Sequence, residues 1–153
     1  MSWANAGWWL AYAFAAISLQ AALPGVDFLL PGLFIALQER RLFQTLLIGT
    51  GFMMAQEGMG SMAFGGTLLW YAVAAVAYYA ACSLFQGRSF LFVLLLSILL
   101  SGVRYVIFIF LARLQDIPWD AALLLDECFL QAVLTPFVWL IAAALRRGKK
   151  HEA

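Results

Sequence analysis

Six apolar segments, separated by short breaks of polar residues, glycine and proline, make up almost the whole sequence. They cover residues 6–23, 26–38, 42–56, 61–85, 89–114 and 121–145. The four longer ones match the ~20 residues that an α-helix needs to cross a bilayer, whereas barrel strands would alternate over about ten residues. We therefore predict an all-α, polytopic integral membrane protein with six short transmembrane segments in a single transmembrane domain, residues 1–153.

The composition also favours an apolar environment. Of the 153 residues, 65% are hydrophobic and 11% are charged, against about 45–50% and about 25% in soluble domains. A soluble fold of this size buries only about 70% of its surface, so the apolar excess is expected to face membrane lipid. The basic run at residues 146–150 directly follows an apolar segment and is interpreted as a cytoplasmic anchor at anionic headgroups, with no support for nucleic-acid binding.

The second and third segments are shorter than the others. They would form helices of about 20 and 22 Å at 1.5 Å per residue, against a ~30 Å hydrocarbon core. Pro31 and Gly32 interrupt the second segment, and Gly49 and Gly51 lie in the third. We expect both segments to be broken, shielded by neighbouring helices or paired as a re-entrant hairpin, each of which returns the chain to the same side.

The distribution of lysine and arginine predicts the orientation. Cytoplasmic loops keep an excess of positive charge, and with the N-terminus inside, seven of the nine basic residues are cytoplasmic. These are Arg40, Arg41, Arg88, Arg146, Arg147, Lys149 and Lys150. Both termini are therefore predicted to be cytoplasmic.

Few residue types that carry catalysis or metal binding are present. The chain has two cysteines, Cys82 and Cys128, and one histidine, His151. A zinc site needs about four close ligands, and a nucleophilic triad needs a histidine held near its nucleophile. The sequence predicts no metal, no cofactor and no enzyme. The two cysteines are expected near opposite faces and unpaired.

Charged side chains inside the apolar segments are the most informative residues, since such charges are costly in a membrane. Arg104 lies about 14 Å below the outer end of its segment, counted from Arg113. Asp126 and Glu127 lie about 9 and 10 Å below the outer end of the next segment, and Glu57 lies in a glycine-rich turn that opens to the same side. We predict that these four charged residues form a polar cluster in the outer half of the membrane.

The predicted cluster allows three interpretations. Arg104 with Asp126 and Glu127 could form a structural ion pair between the last two segments, with Glu57 wetted at the interface. Alternatively, the cluster receives a partner helix or a small ligand. Proton relay through Glu57, Asp126 and Glu127 also stays open.

The order of features resembles the rod shape-determining MreD family of bacterial inner-membrane proteins. Residues 51–65 carry most of the likeness, because the family has an acidic residue flanked by glycines where Glu57 stands. Residues 134–137 resemble the family's proline within the last span, and the basic Arg146 and Arg147 follow. The resemblance covers roughly residues 27–147.

The resemblance implies a non-enzymatic scaffold subunit of the cell-elongation machinery in the bacterial inner membrane. Its expected partners are a single-span MreC-like protein, the MreB filament and a peptidoglycan synthase. The main rival is the substrate-binding S component of an energy-coupling-factor vitamin transporter, which also has six helices and would need a polar pocket at the outer face. A small structural subunit of another membrane complex is a third alternative, and no oligomeric state follows from the sequence.

Overall fold

The described part of the chain is built from helices. A computed structural model describes residues 3–58, 65–83, 89–114, 116, 118 and 120–151. Within these residues there are six helices and no strand, so the all-α prediction is confirmed. The helices are α1 (Trp3–Ala22), α2 (Leu30–Gln38), α3 (Leu42–Gly58), α4 (Gly66–Cys82), α5 (Phe90–Leu114) and α6 (Ala121–His151).

The second segment contains the main difference from the sequence prediction. Its helix begins only at Leu30, and Pro31 lies in the first turn instead of interrupting the helix. Proline is tolerated there because the first backbone N–H groups of a helix have no partner within it. The third segment is likewise one continuous helix despite Gly49 and Gly51, so the expectation of a break inside these two helices is wrong.

Helix α2 lies at the centre of the bundle. Every residue from Leu30 to Leu37 is buried, and the helix packs against α3, α4 and α6. Phe34 lies against Tyr78 of α4, with ring centroids 6.1 Å apart. The expectation of shielding by neighbouring helices is therefore confirmed for α2, the shortest helix.

The other five helices expose large apolar side chains. Examples are Phe14 on α1, Phe43 on α3, Val76 on α4, Phe110 on α5 and Phe129 on α6, which are 60% to 81% exposed. By length and composition, two helices of the described chain, α5 and α6, could cross a membrane. The apolar helix α4 is shorter.

One end of the bundle is fastened by Arg146. Its guanidinium pairs with Glu39, just after α2, through Nε–Oε1 at 3.0 Å and Nη2–Oε2 at 3.1 Å. It also donates to Asn5 Oδ1 in α1 and lies 4.6 Å from the centroid of Trp8 and 5.1 Å from that of Trp9. The start of α1, the end of α2 and the end of α6 are thereby held at the same end of the bundle.

Candidate functional site

The polar centre of the bundle is Asp27, which lies in the connection between α1 and α2. Its side chain is 5% exposed. The carboxylate Oδ1 accepts hydrogen bonds from the backbone N–H groups of Leu29 at 2.9 Å and Leu30 at 3.1 Å. Asp27 thus satisfies two backbone donors at the buried start of α2, and its negative charge is favourable there.

Three further side chains donate to the Asp27 carboxylate from α3 and α4. Gln56 Nε2 lies 2.9 Å from Oδ1, Trp70 Nε1 lies 3.2 Å from Oδ2, and the Tyr71 hydroxyl lies 3.4 Å from Oδ1. A buried carboxylate is tolerated only when hydrogen bonds replace its water. Asp27 therefore joins the entry of α2 to two neighbouring helices.

Gln131 of α6 bonds to the main chain of the same residue. The Asp27 N–H donates to Gln131 Oε1 at 2.5 Å, and Gln131 Nε2 donates to the Asp27 carbonyl at 3.1 Å. Gln131 Nε2 also donates to Thr135 Oγ1 at 2.7 Å. The Gln131 amide thereby satisfies both backbone groups of a buried residue that lies outside regular secondary structure.

Arg104 of α5 completes the network through the same glutamine. Its Nη1 donates to Gln131 Oε1 at 3.0 Å, and its Nη2 donates to the Gly25 carbonyl at 2.6 Å. Arg104 is 9% exposed, and its Nε is buried without a hydrogen-bond partner. Gln131 therefore bridges a buried cation and the backbone of the residue that carries a buried anion.

The expected ion pair between Arg104 and the acidic residues of α6 is not formed in the described structure. Asp126 is exposed, and Arg104 bonds to two neutral acceptors, Gln131 and Gly25. Arg104 lies ten residues before the end of α5, or about 15 Å from it. Gln131 lies ten residues into α6, at about the same distance from its start, and is therefore in better reach than Asp126.

A partly open cavity of about 560 Å³ lies beside this network, in the half of the bundle away from Arg146. Its wall combines apolar side chains with polar groups from five helices and from the connection before α2. The lining residues are Gln20, Ala21, Pro24, Gly25, Val26, Asp27, Gln56, Thr67, Trp70, Arg104, Phe108 and Glu127.

The four residues predicted as a cluster are only partly brought together. Arg104 and Glu127 line the same cavity. Glu57 does not line it. Its Oε1 accepts the backbone N–H of Gly65 at 3.0 Å, which ties the end of α3 to the start of α4. Asp126 does not line the cavity either, so the site contains half of the predicted set.

Asp27 and Gln131 belong to the polar network but are not among the residues predicted from the sequence. Asp27 is a single carboxylate inside an apolar segment, which is the signal that singled out Arg104. It also stands directly before the apolar residues Phe28, Leu29 and Leu30, which Pro31 follows, and this pattern is typical of a helix start. Gln131 carried no comparable signal, because a neutral amide is common in helices and reveals its role only once its neighbours are known.

Comparison of the chain with protein-family models, characterised proteins and solved structures gives no significant match. Within the described part of the chain, no three His, Cys, Asp or Glu side chains are grouped so as to hold a metal. The wall carries hydrogen-bond donors, acceptors and three charged side chains, of which Arg104 and Glu127 are not paired with each other, and this suits the binding of a polar molecule.

Proposed function

We propose that the chain is an integral membrane protein whose helix bundle is embedded in lipid. The exposed apolar side chains on five helices support this, because a soluble protein rarely exposes contiguous apolar patches larger than a few hundred Å². In a bilayer the same side chains face acyl chains at little cost. The buried α2 does not need to span on its own, since neighbouring helices shield it.

The proposed orientation places the Arg146 end of the bundle in the cytoplasm. Arg40 and Arg41 follow α2 at that end, and Arg147 follows Arg146. Positive charge near helix ends is retained on the cytoplasmic side. The cavity beside Arg104 then lies in the outer half of the bacterial inner membrane.

Within that membrane we propose a non-enzymatic scaffold subunit of the cell-elongation machinery, as the resemblance to the MreD family implies. The observation that carries the proposal is the Glu57–Gly65 hydrogen bond, because both residues belong to the segment that carries the resemblance. An acidic residue at this corner joins α3 to α4. Since little of the described part of the chain lies outside the helices, partners would bind to helix faces and short connections.

Capture from native membranes tests the scaffold proposal. The tagged full chain, cross-linked in cells and then purified, is expected to retain an MreC-like single-span protein and a peptidoglycan synthase. Glu57→Ala should weaken the retention of both partners while the protein stays in the membrane. Asp126→Ala, which removes an exposed carboxylate, should leave the retention unchanged. Absence of both partners from the captured material would refute the scaffold role.

The cavity favours a second candidate, the S component of an energy-coupling-factor vitamin transporter. Such a subunit needs a preformed pocket with convergent polar groups, and about 560 Å³ accommodates a vitamin-sized molecule. The same captured material distinguishes the two candidates. Transporter ATPases and a vitamin bound after purification would support the S component over the scaffold.

A further inference from the structure

Three charged side chains line the cavity. The Asp27 carboxylate already accepts five hydrogen bonds, whereas Arg104 and Glu127 carry opposite charges and do not pair with each other. Arg104 reaches the cavity from α5 and Glu127 from the first two turns of α6. In the described structure Arg104 bonds only to neutral acceptors. Both side chains can form further hydrogen bonds. A molecule that carries one negative and one positive group would be complementary to this pair of charges.

The Arg104 side of the wall has unused hydrogen-bonding capacity. Arg104 Nε is buried and unpartnered, and so is the Thr67 hydroxyl, whose side chain is 1% exposed. Buried polar groups without a partner are rare in folded proteins, because each costs the hydrogen bond it had with water. An anionic group in the cavity would accept from both.

The Glu127 side of the wall offers acceptors. The Glu127 carboxylate lies against Gly25, where an added Cβ would overlap it. Because Gly25 has no side chain, the Glu127 carboxylate has space to reach the cavity. Gln20 contributes a second acceptor, a buried Oε1 without a partner. An ammonium group carries three donors and can satisfy both.

We propose that the cavity binds a small zwitterion, with its anionic group at Arg104 and Thr67 and its ammonium group at Glu127 and Gln20. A volume of about 560 Å³ suits an amino acid, a short peptide or a single lipid headgroup. Phe108 and Trp70 supply apolar contact for the carbon skeleton between the two charges. This inference goes beyond the scaffold role and does not depend on it.

The zwitterion could come from two sources, a free amino acid or peptide, or the headgroup of an ethanolamine phospholipid. Both present an anion and an ammonium a few bonds apart. Two water-soluble probes separate them. Alanyl-alanine represents the peptide, and glycerophosphoethanolamine represents the headgroup without its acyl chains.

Titration calorimetry on the purified full chain in detergent tests the proposal. At least one of the two probes should bind saturably at millimolar concentration or below, and the tighter one identifies the source. The single-charge analogues are N-acetylalanine, alaninamide and glycerophosphoglycerol. Each should bind at least about tenfold more weakly than its parent, because it forfeits one charge-assisted contact.

Matched variants locate the site. Glu127→Gln should weaken binding of the zwitterion about tenfold or more, whereas Asp126→Asn on the next residue should leave it unchanged. Saturable binding of neither probe, equal binding of the single-charge analogues, or equal effects of the two variants would overturn the proposal. The analogues are tested on the unmodified chain, so the result does not depend on how well a variant folds. Because this experiment needs no partner protein, its failure is distinct from failure of the scaffold proposal.

Discussion

Gln131 holds Asp27 by both of its main-chain groups, although the two residues are 104 positions apart in the sequence. Asp27 lies in the buried last part of the connection before α2, residues 26–29, and has no regular secondary structure. Its backbone would otherwise lack partners away from water. The α6 side chain replaces the missing backbone partners and, through Arg104, links this connection to α5.

Asp27→Asn should destabilise the protein by about 3–5 kcal/mol, the range for leaving a buried charge uncompensated. The amide removes the charge that compensates Arg104 and turns one acceptor into a donor that faces other donors. Reversible unfolding in mixed detergent micelles measures the free energy. Asp126→Asn, at an exposed carboxylate five residues before Gln131, should change it by less than about 0.5 kcal/mol. Equal effects of the two substitutions would contradict the assigned role of Asp27.

The two buried charges should be energetically coupled. Arg104→Gln alone leaves Asp27 without a nearby cation, whereas combining it with Asp27→Asn removes both charges together. We expect the double variant to be less destabilised than the sum of the single variants by at least about 1 kcal/mol. A double-mutant cycle on the unfolding free energies measures this difference. Strict additivity would show that the two buried charges are not coupled.

Gly25→Ala should cost about 2–4 kcal/mol for two reasons. Gly25 has a φ of +92°, which side-chain-bearing residues rarely adopt, and the new methyl would overlap Glu127. Gly102→Ala is the control, because nothing lies within 4 Å of the added atom in the middle of α5. It should stabilise by up to about 1 kcal/mol through helix propensity. Similar losses in both variants would show that the backbone at Gly25 is not special.

Arg146→Gln should loosen the opposite end of the bundle. It removes the paired hydrogen bonds to Glu39 and the stacking on Trp8 and Trp9, with an expected loss of about 1–3 kcal/mol. Arg147→Gln, at an exposed residue, should have little effect. Tryptophan fluorescence during unfolding follows the change directly. A loss in Arg147→Gln as large as in Arg146→Gln would point to general charge effects instead.

The helices were largely predictable because their ends coincide with glycine, proline and charged residues. Helices α5 and α6 begin within one residue of the predicted segments. The start of α2 was not predictable from hydrophobicity, because residues 26–29 are as apolar as the helix that follows, apart from Asp27. Tertiary hydrogen bonds keep residues 26–29 out of the helix, and the hydrophobic periodicity of the sequence carries no information about such contacts.

The candidate site was predicted in outline and missed at its centre. Arg104 was found because a charge in an apolar helix is conspicuous, and Glu127 because it lies on the neighbouring helix. The sequence predicts acidic partners for Arg104, whereas in the structure its partners are a glutamine amide and a backbone carbonyl. Sequence spacing gives depth along a helix, but not which neutral group faces the cavity from the neighbouring elements.

In the proposed topology the bundle crosses a membrane with the Arg146 end in the cytoplasm and the cavity in the outer half. Labelling of single cysteines in membrane vesicles tests it most directly, in a chain with Cys82 and Cys128 replaced by alanine. Asp116→Cys lies beyond the end of α5, and Arg147→Cys lies in the last turns of α6. In right-side-out vesicles a membrane-impermeant maleimide should label Asp116→Cys and spare Arg147→Cys, with the reverse in inverted vesicles. Labelling of both positions from one side, or recovery of the protein outside the membrane fraction, would contradict the proposed topology.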